Sequence, residues 1–277
     1  MILGLLLPPR LGTAALRACW AFSLYGEGAF EVKENPAMNY EVVGANIRAS
    51  YREVSPKYRH DDEIEVTTEN HRHFSGILSE ITTSFDHPIS VLDVGCGTGR
   101  YFHCLQNVER LVGVDISPDM LKGAEFPVRQ SEISAGEITL MCQNIYLTSF
   151  PCESFDFIYS LGMFGHGSPV TGEICQSFYE WLKPNGKIFF NVVALANLKP
   201  KYRLRRRLRR IVEALLPTRL RERLSERRRK LPFFGMTRRE LHSIMKKTSF
   251  TNFAISSHIC DSPLWRGVLL ECIAGKP

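Results

Sequence analysis

Apolar residues follow two different periods along this chain. Phe74, Ile77, Leu78 and Ile81 recur at helical spacing and form one stripe of an amphipathic helix. From Ile89 onward, apolar runs of strand length take over: ISVLDVG, RLVGVD ending at Asp115, ITLMCQ, FDFIYS and KIFFNVV. They are apolar on both faces, as strands are when helices cover both sides of a sheet. Helical stretches are predicted between them, over 100–106, 118–124 and 172–182, the last running into the turn signal Pro184-Asn185-Gly186. Strand and helix in alternation predict an α/β fold with a parallel sheet and right-handed crossovers.

The C-terminal part reads differently. Thr237 followed by Glu240 is a capping box opening a helix over MTRRELHSIMKKTSF. FAISSH and GVLLECIA are then two strands joined by a short loop containing Pro263, which suits an antiparallel pair better than a crossover unit. The stretch 38–59 is mixed and aromatic, with Tyr40, Tyr51 and Tyr58.

Composition narrows the picture. With 277 residues, 44% of them hydrophobic, the chain can bury one sizeable core and not two large ones. Its net charge of +6 is unevenly spread: 199–230 holds fifteen Lys or Arg against three Glu, a net of +12, which leaves −6 on the rest. Eight cysteines include no C-x-x-C pair, which points to a reduced intracellular protein without a Cys-rich zinc site, and no metal cluster is evident. No apolar run approaches the ~20 residues that span a bilayer. The first 37 residues contain no acid before Glu27 and break at Pro8-Pro9. They read equally as a transit segment, as untranslated sequence ahead of Met38, or as a plain extension. The expected location is cytoplasmic, or mitochondrial if 1–37 is a transit segment.

The chemistry concentrates in SVLDVGCGTGRYF. A strand feeding a Gly-rich turn and then a helix is a nucleotide-binding arrangement, because Gly95, Gly97 and Gly99 let a ligand lie against bare main chain. Asp115 stands twenty residues past Gly95 at the tip of the second strand, where a carboxylate can accept two hydrogen bonds from a ribose diol. A dinucleotide site and an S-adenosylmethionine (SAM) site both fit so far. Three features favour the second. Arg100 stands where the dinucleotide fingerprint needs glycine or alanine, Asp93 would repel a pyrophosphate but suits a cation, and the chain ends in a strand pair with hairpin-like spacing.

VLDVGCGTG, LVGVDISPDML, CQNIYLTSFPCESFDFIYS and LKPNGKIFFNV, in that order, resemble the successive motifs of class I SAM-dependent methyltransferases, and are similar to their small-molecule subgroup. The likeness is tight over 90–193 and loose over the last forty residues. It implies a Rossmann-like seven-stranded sheet of order 3-2-1-4-5-7-6 with the seventh strand antiparallel. It also implies one methyltransferase domain over 38–277, with an N-terminal helical cap at 38–88 and a basic helical insert, a lid, at 197–234. By the same resemblance Gly95, Cys96, Gly97, Thr98 and Gly99 pass under SAM, and Asp93 orients its ammonium end. Asp115 holds the ribose and Ile116 packs on the adenine. Asn144, standing where the family has Asp, accepts from the adenine amino group, and the Ile145 N–H meets a ring nitrogen. Ser160 and Leu161 face the methionine part. His166, just past the fourth strand, is the candidate general base.

Plainer readings stand beside these. Asp115 as a helix cap, Asn144 as a turn residue and His166 as a loop histidine are all compatible with the sequence. Asp156 reads as a strand-start residue bonded to main chain rather than a catalyst. Tyr51, Tyr58 and Arg72 read as packing or solvated groups sooner than as the lining of a cofactor entrance.

In the basic segment Leu204, Leu208, Ile211, Val212 and Leu215 keep helical spacing among arginines. It reads as a lid over the acceptor, as a contact for an anionic membrane surface, or as a footprint for RNA. The expected activity is methyl transfer from SAM to an O, N or C nucleophile of a small or lipid-like acceptor. The alternatives are an RNA or protein methyltransferase docking through 199–230, and a non-catalytic SAM-binding interaction protein.

Overall fold

The structure is a computed structural model that describes residues 40–195 and 233–277. The readings of 1–37 and of the basic segment 199–230 fall outside the described residues. Seven strands make one sheet: β1 (Ile89–Val94), β2 (Val108–Asp115), β3 (Glu137–Cys142), β4 (Phe155–Phe164), β5 (Leu182–Val193), β6 (Asn252–Asp261) and β7 (Arg266–Gly275). Their order is β3-β2-β1-β4-β5-β7-β6, as expected. The first five pair in parallel, and β7 runs antiparallel to both β5 and β6.

Alternation along each strand sends its apolar side chains to two separate cores. Leu92, Val94, Ile158 and Ile188 face α4 (Gly172–Trp181) and α5 (Arg238–Met245), whose Ile174, Phe178, Leu241 and Met245 are buried against them. Val91, Phe157 and Phe189 face α2 (Glu69–Thr83), which contributes the expected stripe of Phe74, Leu78 and Ile81. Both faces of the central strands β1, β4 and β5 are therefore covered, which is why those strands lack a polar side, whereas β3 and β6 at the sheet edges stay largely exposed. The helices start on side-chain caps: Thr68 before α2, Ser117 before α3 (Pro118–Ala124), Thr171 before α4 and Thr237 before α5, the last as the expected capping box.

Two local expectations need correction. The stretch 100–106 is not a helix but a 3₁₀ turn, Phe102–Cys104. Phe102, Cys104 and Leu105 are all buried, and Asn107 at φ 55° turns the chain straight into β2. That leaves no room for the several turns a stable helix needs. The Pro184-Asn185-Gly186 signal does not precede the fifth strand but lies inside it. Asn185 sits at φ 63° within an irregularity between the pairs Phe155↔Leu182 and Phe157↔Lys187. Ahead of the sheet in the chain, α1 (Tyr40–Glu65) reaches the loops at the carboxyl ends of the strands, while α2 packs on one sheet face.

Asp156 opens β4 as a tie. Its carboxylate accepts from Ser90 N–H at 2.8 Å and Lys183 Nζ at 2.7 Å, and sits 3.2 Å from His87 Nε2. Burial opposes its charge, but Lys183, the Ser90 N–H and His87 outweigh it and hold the carboxyl below the usual range. Its stabilising effect is therefore complete above the ordinary carboxylate pKa and fades as pH falls through the lowered one. Asp156→Asn should cost roughly 1–2 kcal/mol at neutral pH, the value of charge-assisted bonds to a partly exposed lysine. In urea unfolding the gap to the parent should close as pH drops below about 4.

Candidate functional site

The carboxyl ends of β1 to β4 border a cavity of about 190 Å³. Open α/β sheets bind ligands at this edge because the chain leaves each strand there and loops supply main-chain donors. Gly95, Gly97 and Gly99 all hold positive φ, at 76°, 56° and 75°. A Cβ at Gly95 would fall 2.7 Å from Met163 Sδ, so the loop's shape and its packing against the end of β4 both require glycine.

Asp115 locks this loop. Its Oδ2 accepts from Gly97 N–H at 2.9 Å and its Oδ1 from Ser117 N–H at 2.8 Å. Burial pushes its carboxyl up to about 6, against the pull of the Ser117 and Gly97 N–H groups. The cap-like reading of Asp115 is thus part of its role, while the side chain still lines the cavity. Asp93, at the end of β1, is buried and does not line the cavity. Tyr159 Oη donates to its Oδ2 at 2.6 Å, and burial raises its carboxyl to about 8.

Of the residues expected at the site, Gly95, Cys96, Gly97, Thr98, Asp115, Ile116, Asn144, Ile145, Leu161 and His166 line the cavity. Asp93, Gly99 and Ser160 do not. Asp93 is buried against Tyr159 Oη, and Ser160 Oγ donates to Val94 O at 2.8 Å inside the sheet. Asn144 does what its plainer reading said: Oδ1 accepts from Tyr146 N–H at 3.2 Å, and Nδ2 donates to Tyr40 O at 2.9 Å. His166 borders the cavity, and burial lowers its imidazole to about 4, which keeps it neutral near pH 7. Tyr51 and Tyr58 line the cavity after all, edge to face at 5.7 Å. Arg72 stays on the surface, paired with Glu69.

The sequence reading missed what closes the site. Asp62, wholly buried near the end of α1, takes both Thr98 Oγ1 and Arg100 Nε on its carboxylate. One helix is thereby clamped to the glycine loop and to the residue just after it. Gly44 allows the other end of α1 to approach, because a Cβ there would fall 2.7 Å from Ile116 and 2.9 Å from Asn144. Tyr40 stacks on Tyr146 with ring centres 4.7 Å apart. Gly162, at φ 79°, lines the cavity with nothing within 4 Å of where a Cβ would stand.

This geometry suits a nucleoside carrying positive charge. It offers bare main chain, a carboxylate at a strand tip, a second carboxylate buried at the end of β1 and an apolar wall from Ile116. Residues 91–186 match a family model described as a methyltransferase domain. A wheat (Triticum aestivum) phosphoethanolamine N-methyltransferase is 30% identical over 112 residues, which is 40% of this chain and 21% of that protein. The match therefore spans about a fifth of the length of such curated relatives. Among solved structures, a phosphoethanolamine N-methyltransferase 2 of Haemonchus contortus bound to phosphomonomethylethanolamine and S-adenosylhomocysteine superposes with a TM-score of 0.51 at 17% identity. That alignment covers 74% of this chain and 52% of the other. A possible histamine N-methyltransferase of Thermotoga maritima gives 0.51 at 15% identity, over 82% and 98%. These likenesses establish the fold.

Asp62→Asn removes the hydrogen-bonded charge that faces Arg100 and leaves a largely buried guanidinium with only the more distant Glu65 to offset it. Breaking such a pair costs roughly 3–5 kcal/mol. Thermal unfolding should register that loss, and limited proteolysis should cut within α1 faster than in the parent.

Proposed function

We propose, from the premise that this chain belongs to the class I SAM-dependent methyltransferases, that it transfers the methyl group of SAM to a nucleophile of a small acceptor. The observation that carries the reading is the joining of the bare loop after β1 to Asp115 at the tip of β2. Two otherwise unrelated chain segments are shaped around one nucleoside-sized hollow. The residues present fit the cofactor: the free space above Gly162 would accept its methionine arm, and the raised acids Asp93 and Asp115 suit a cationic ligand. When bound, SAM supplies a methyl group already activated on a sulfonium.

The chain's own part is alignment and proton handling. Gly95 to Thr98 would hold the cofactor from below, Asp115 would orient its ribose, and Ile116 and Ile145 would flank its base. Asn144 would hold the edge of the base through a remaining lone pair on Oδ1, since its amide N–H₂ already engages Tyr40 O. Leu161 and Met163 wall the side toward the acceptor. Orientation of this kind supplies roughly 7–11 kcal/mol of a transfer barrier. In this reading His166, at the cavity wall and neutral near pH 7, would take the proton of the acceptor nucleophile.

A nitrogen acceptor fits better than oxygen or carbon. Tyr51, Tyr58 and Tyr146 line the cavity, and aromatic lining of this kind favours a cationic head. The relatives named for phosphoethanolamine support a small amine as substrate class. The test is release of S-adenosylhomocysteine from SAM with ethanolamine, phosphoethanolamine and their N-methylated forms, beside RNA and protein acceptors. Turnover with a small amine supports the reading, and turnover only with RNA or protein overturns it.

Two further outcomes follow from the acids and the imidazole. In the free protein Asp93 and Asp115 are raised to about 8 and about 6, so a cationic ligand that prefers them ionised must expel protons. SAM affinity should rise between about pH 6 and pH 8, and calorimetry in buffers of different ionisation heat should show proton release on binding. His166→Gln should lower kcat by about 10²–10⁴-fold while SAM affinity stays near the parent's.

A further inference from the structure

Away from the cavity, three ligand-type side chains meet at one buried point. His71 comes from the first turn of α2, and His103 and Cys104 come from the turn Phe102–Cys104. Their relative exposures are 2%, 7% and 6%. The Nε2 atoms of His71 and His103 face each other at 3.3 Å. Cys104 Sγ lies 3.4 Å from His103 Nε2 and 3.8 Å from His71 Nε2. The Nε2 atoms of both imidazoles and the Cys104 sulfur thus converge on one point, each within reach of the other two.

A tetrahedral zinc ion accounts for all three contacts. Zn–N bonds of about 2.0–2.1 Å and Zn–S bonds of about 2.3 Å imply ligand-to-ligand edges of roughly 3.3 Å for N···N and 3.6 Å for N···S. The observed triangle brackets those edges, and a point about 2 Å from every corner exists at its centre. We infer that His71, His103 and Cys104 are a three-residue Zn²⁺ site, separate from the cofactor cavity. The Nδ1 atoms of His71 and His103 are buried on the far side of each ring, and both Nε2 atoms turn toward the shared point. Tyr101 stacks on the His71 ring at 5.1 Å and 10°, fixing its plane.

Binding displaces the Cys104 thiol proton to solvent and leaves both imidazoles neutral, protonated at Nδ1. Ser75, one turn beyond His71 on α2, has Oγ 3.1 Å from Cys104 Sγ and flanks the fourth coordination position. Burial and distance from the cavity suit a structural role, with the fourth position left to a water or to Ser75 Oγ. The site would pin α2 to the turn that follows the glycine loop, and so hold from outside the loop that Asp62 and Asp115 hold from within.

A second group, His73, His258 and Glu271, is the weaker candidate and serves as an internal control. Its two imidazoles are stacked face to face at 3.9 Å and 2°, so their lone pairs run side by side instead of converging. Glu271 is already engaged by His73 at 2.6 Å and by Ser256 at 2.9 Å.

The test is a titration of the full chain, stripped of metal by a chelator, with Co²⁺ as a spectroscopic stand-in for Zn²⁺. One equivalent should produce the intense visible bands of tetrahedral cobalt and a sulfur-to-cobalt charge-transfer band in the near ultraviolet. Zn²⁺ should abolish both and raise the thermal midpoint. Cys104→Ser should lose the charge-transfer band, His103→Ala should lose the cobalt spectrum, and His258→Asn should keep everything. Absence of stoichiometric tetrahedral cobalt in the parent chain overturns the inference, whatever the variants do. So does a charge-transfer band that survives Cys104→Ser, or a spectrum lost in His258→Asn. None of these readouts depends on SAM, so failure here leaves the methyltransferase reading where it stands.

Discussion

One carboxylate sets the geometry on which the rest of the site depends. Asp115 receives the N–H of Gly97 from the unit that follows β1 and the N–H of Ser117 from the unit that follows β2. A carboxylate offers about four lone-pair positions, so capacity remains after its main-chain bonds to Gly97, Ser117 and Ile116 are made. The same group can therefore fix the loop and still accept hydroxyls from a ligand. The bond to Gly97 also holds in one shape a loop with three alternating left-handed glycines. Without an anchor at Gly97, a segment this permissive would sample many shapes, and the ordering entropy would fall due at each binding event.

The outer wall of the site relies on polar burial instead of an apolar stripe. The residues that α1 buries are Gly44, Ile47, Ser55, Asp62 and Glu65, of which only Ile47 is a large hydrophobe. Asp62 holds Thr98 and Arg100, while Glu65 accepts from Asn70 Nδ2 at 2.6 Å and Ser262 Oγ at 2.7 Å. Such a face has no hydrophobic period, which is why the helix was invisible to pattern reading and 38–59 seemed merely mixed. The arrangement is specific because it is costly to break: each buried carboxylate needs its partners in place, so α1 has one docking position instead of a range of sliding ones.

The central strands were legible for the opposite reason. Burial on both faces of β1, β2, β4 and β5 leaves short apolar runs bounded by turn residues, and few other structures write that pattern. The sheet order was not in the periodicity at all but came through the resemblance of the four motifs. The stretch 100–106 misled because its residues are buried like those of a helix, yet the distance from Gly99 to β2 allows only a turn. Asn144 was legible only as an alternative. Its side chain serves the backbone of Tyr146 and Tyr40 at once, and no spacing rule reports a partner more than a hundred residues away. The metal-type cluster escaped for the same reason: His71 and His103 come together only after α2 packs on the sheet.

The charge balance of the site links binding to folding. Asp93 is buried on one side of the sheet with only Tyr159 as a neutral donor, and the negative charge of Asp115 nearby raises it further. An acid held at about 8 makes the unliganded fold less stable as pH rises from the ordinary carboxylate range toward that value, because the folded chain must then accept a charge that the unfolded chain carries freely. A bound cation reverses the sign, since it favours the ionised acid where burial opposes it. The cost of burying Asp93 is therefore charged to the empty site and refunded by the ligand. That cost also discriminates: a neutral nucleoside would leave Asp93 protonated and forgo the gain, and an anionic dinucleotide would meet two acids where it needs donors. A cavity so arranged selects for positive charge before any contact with the transferred group is made.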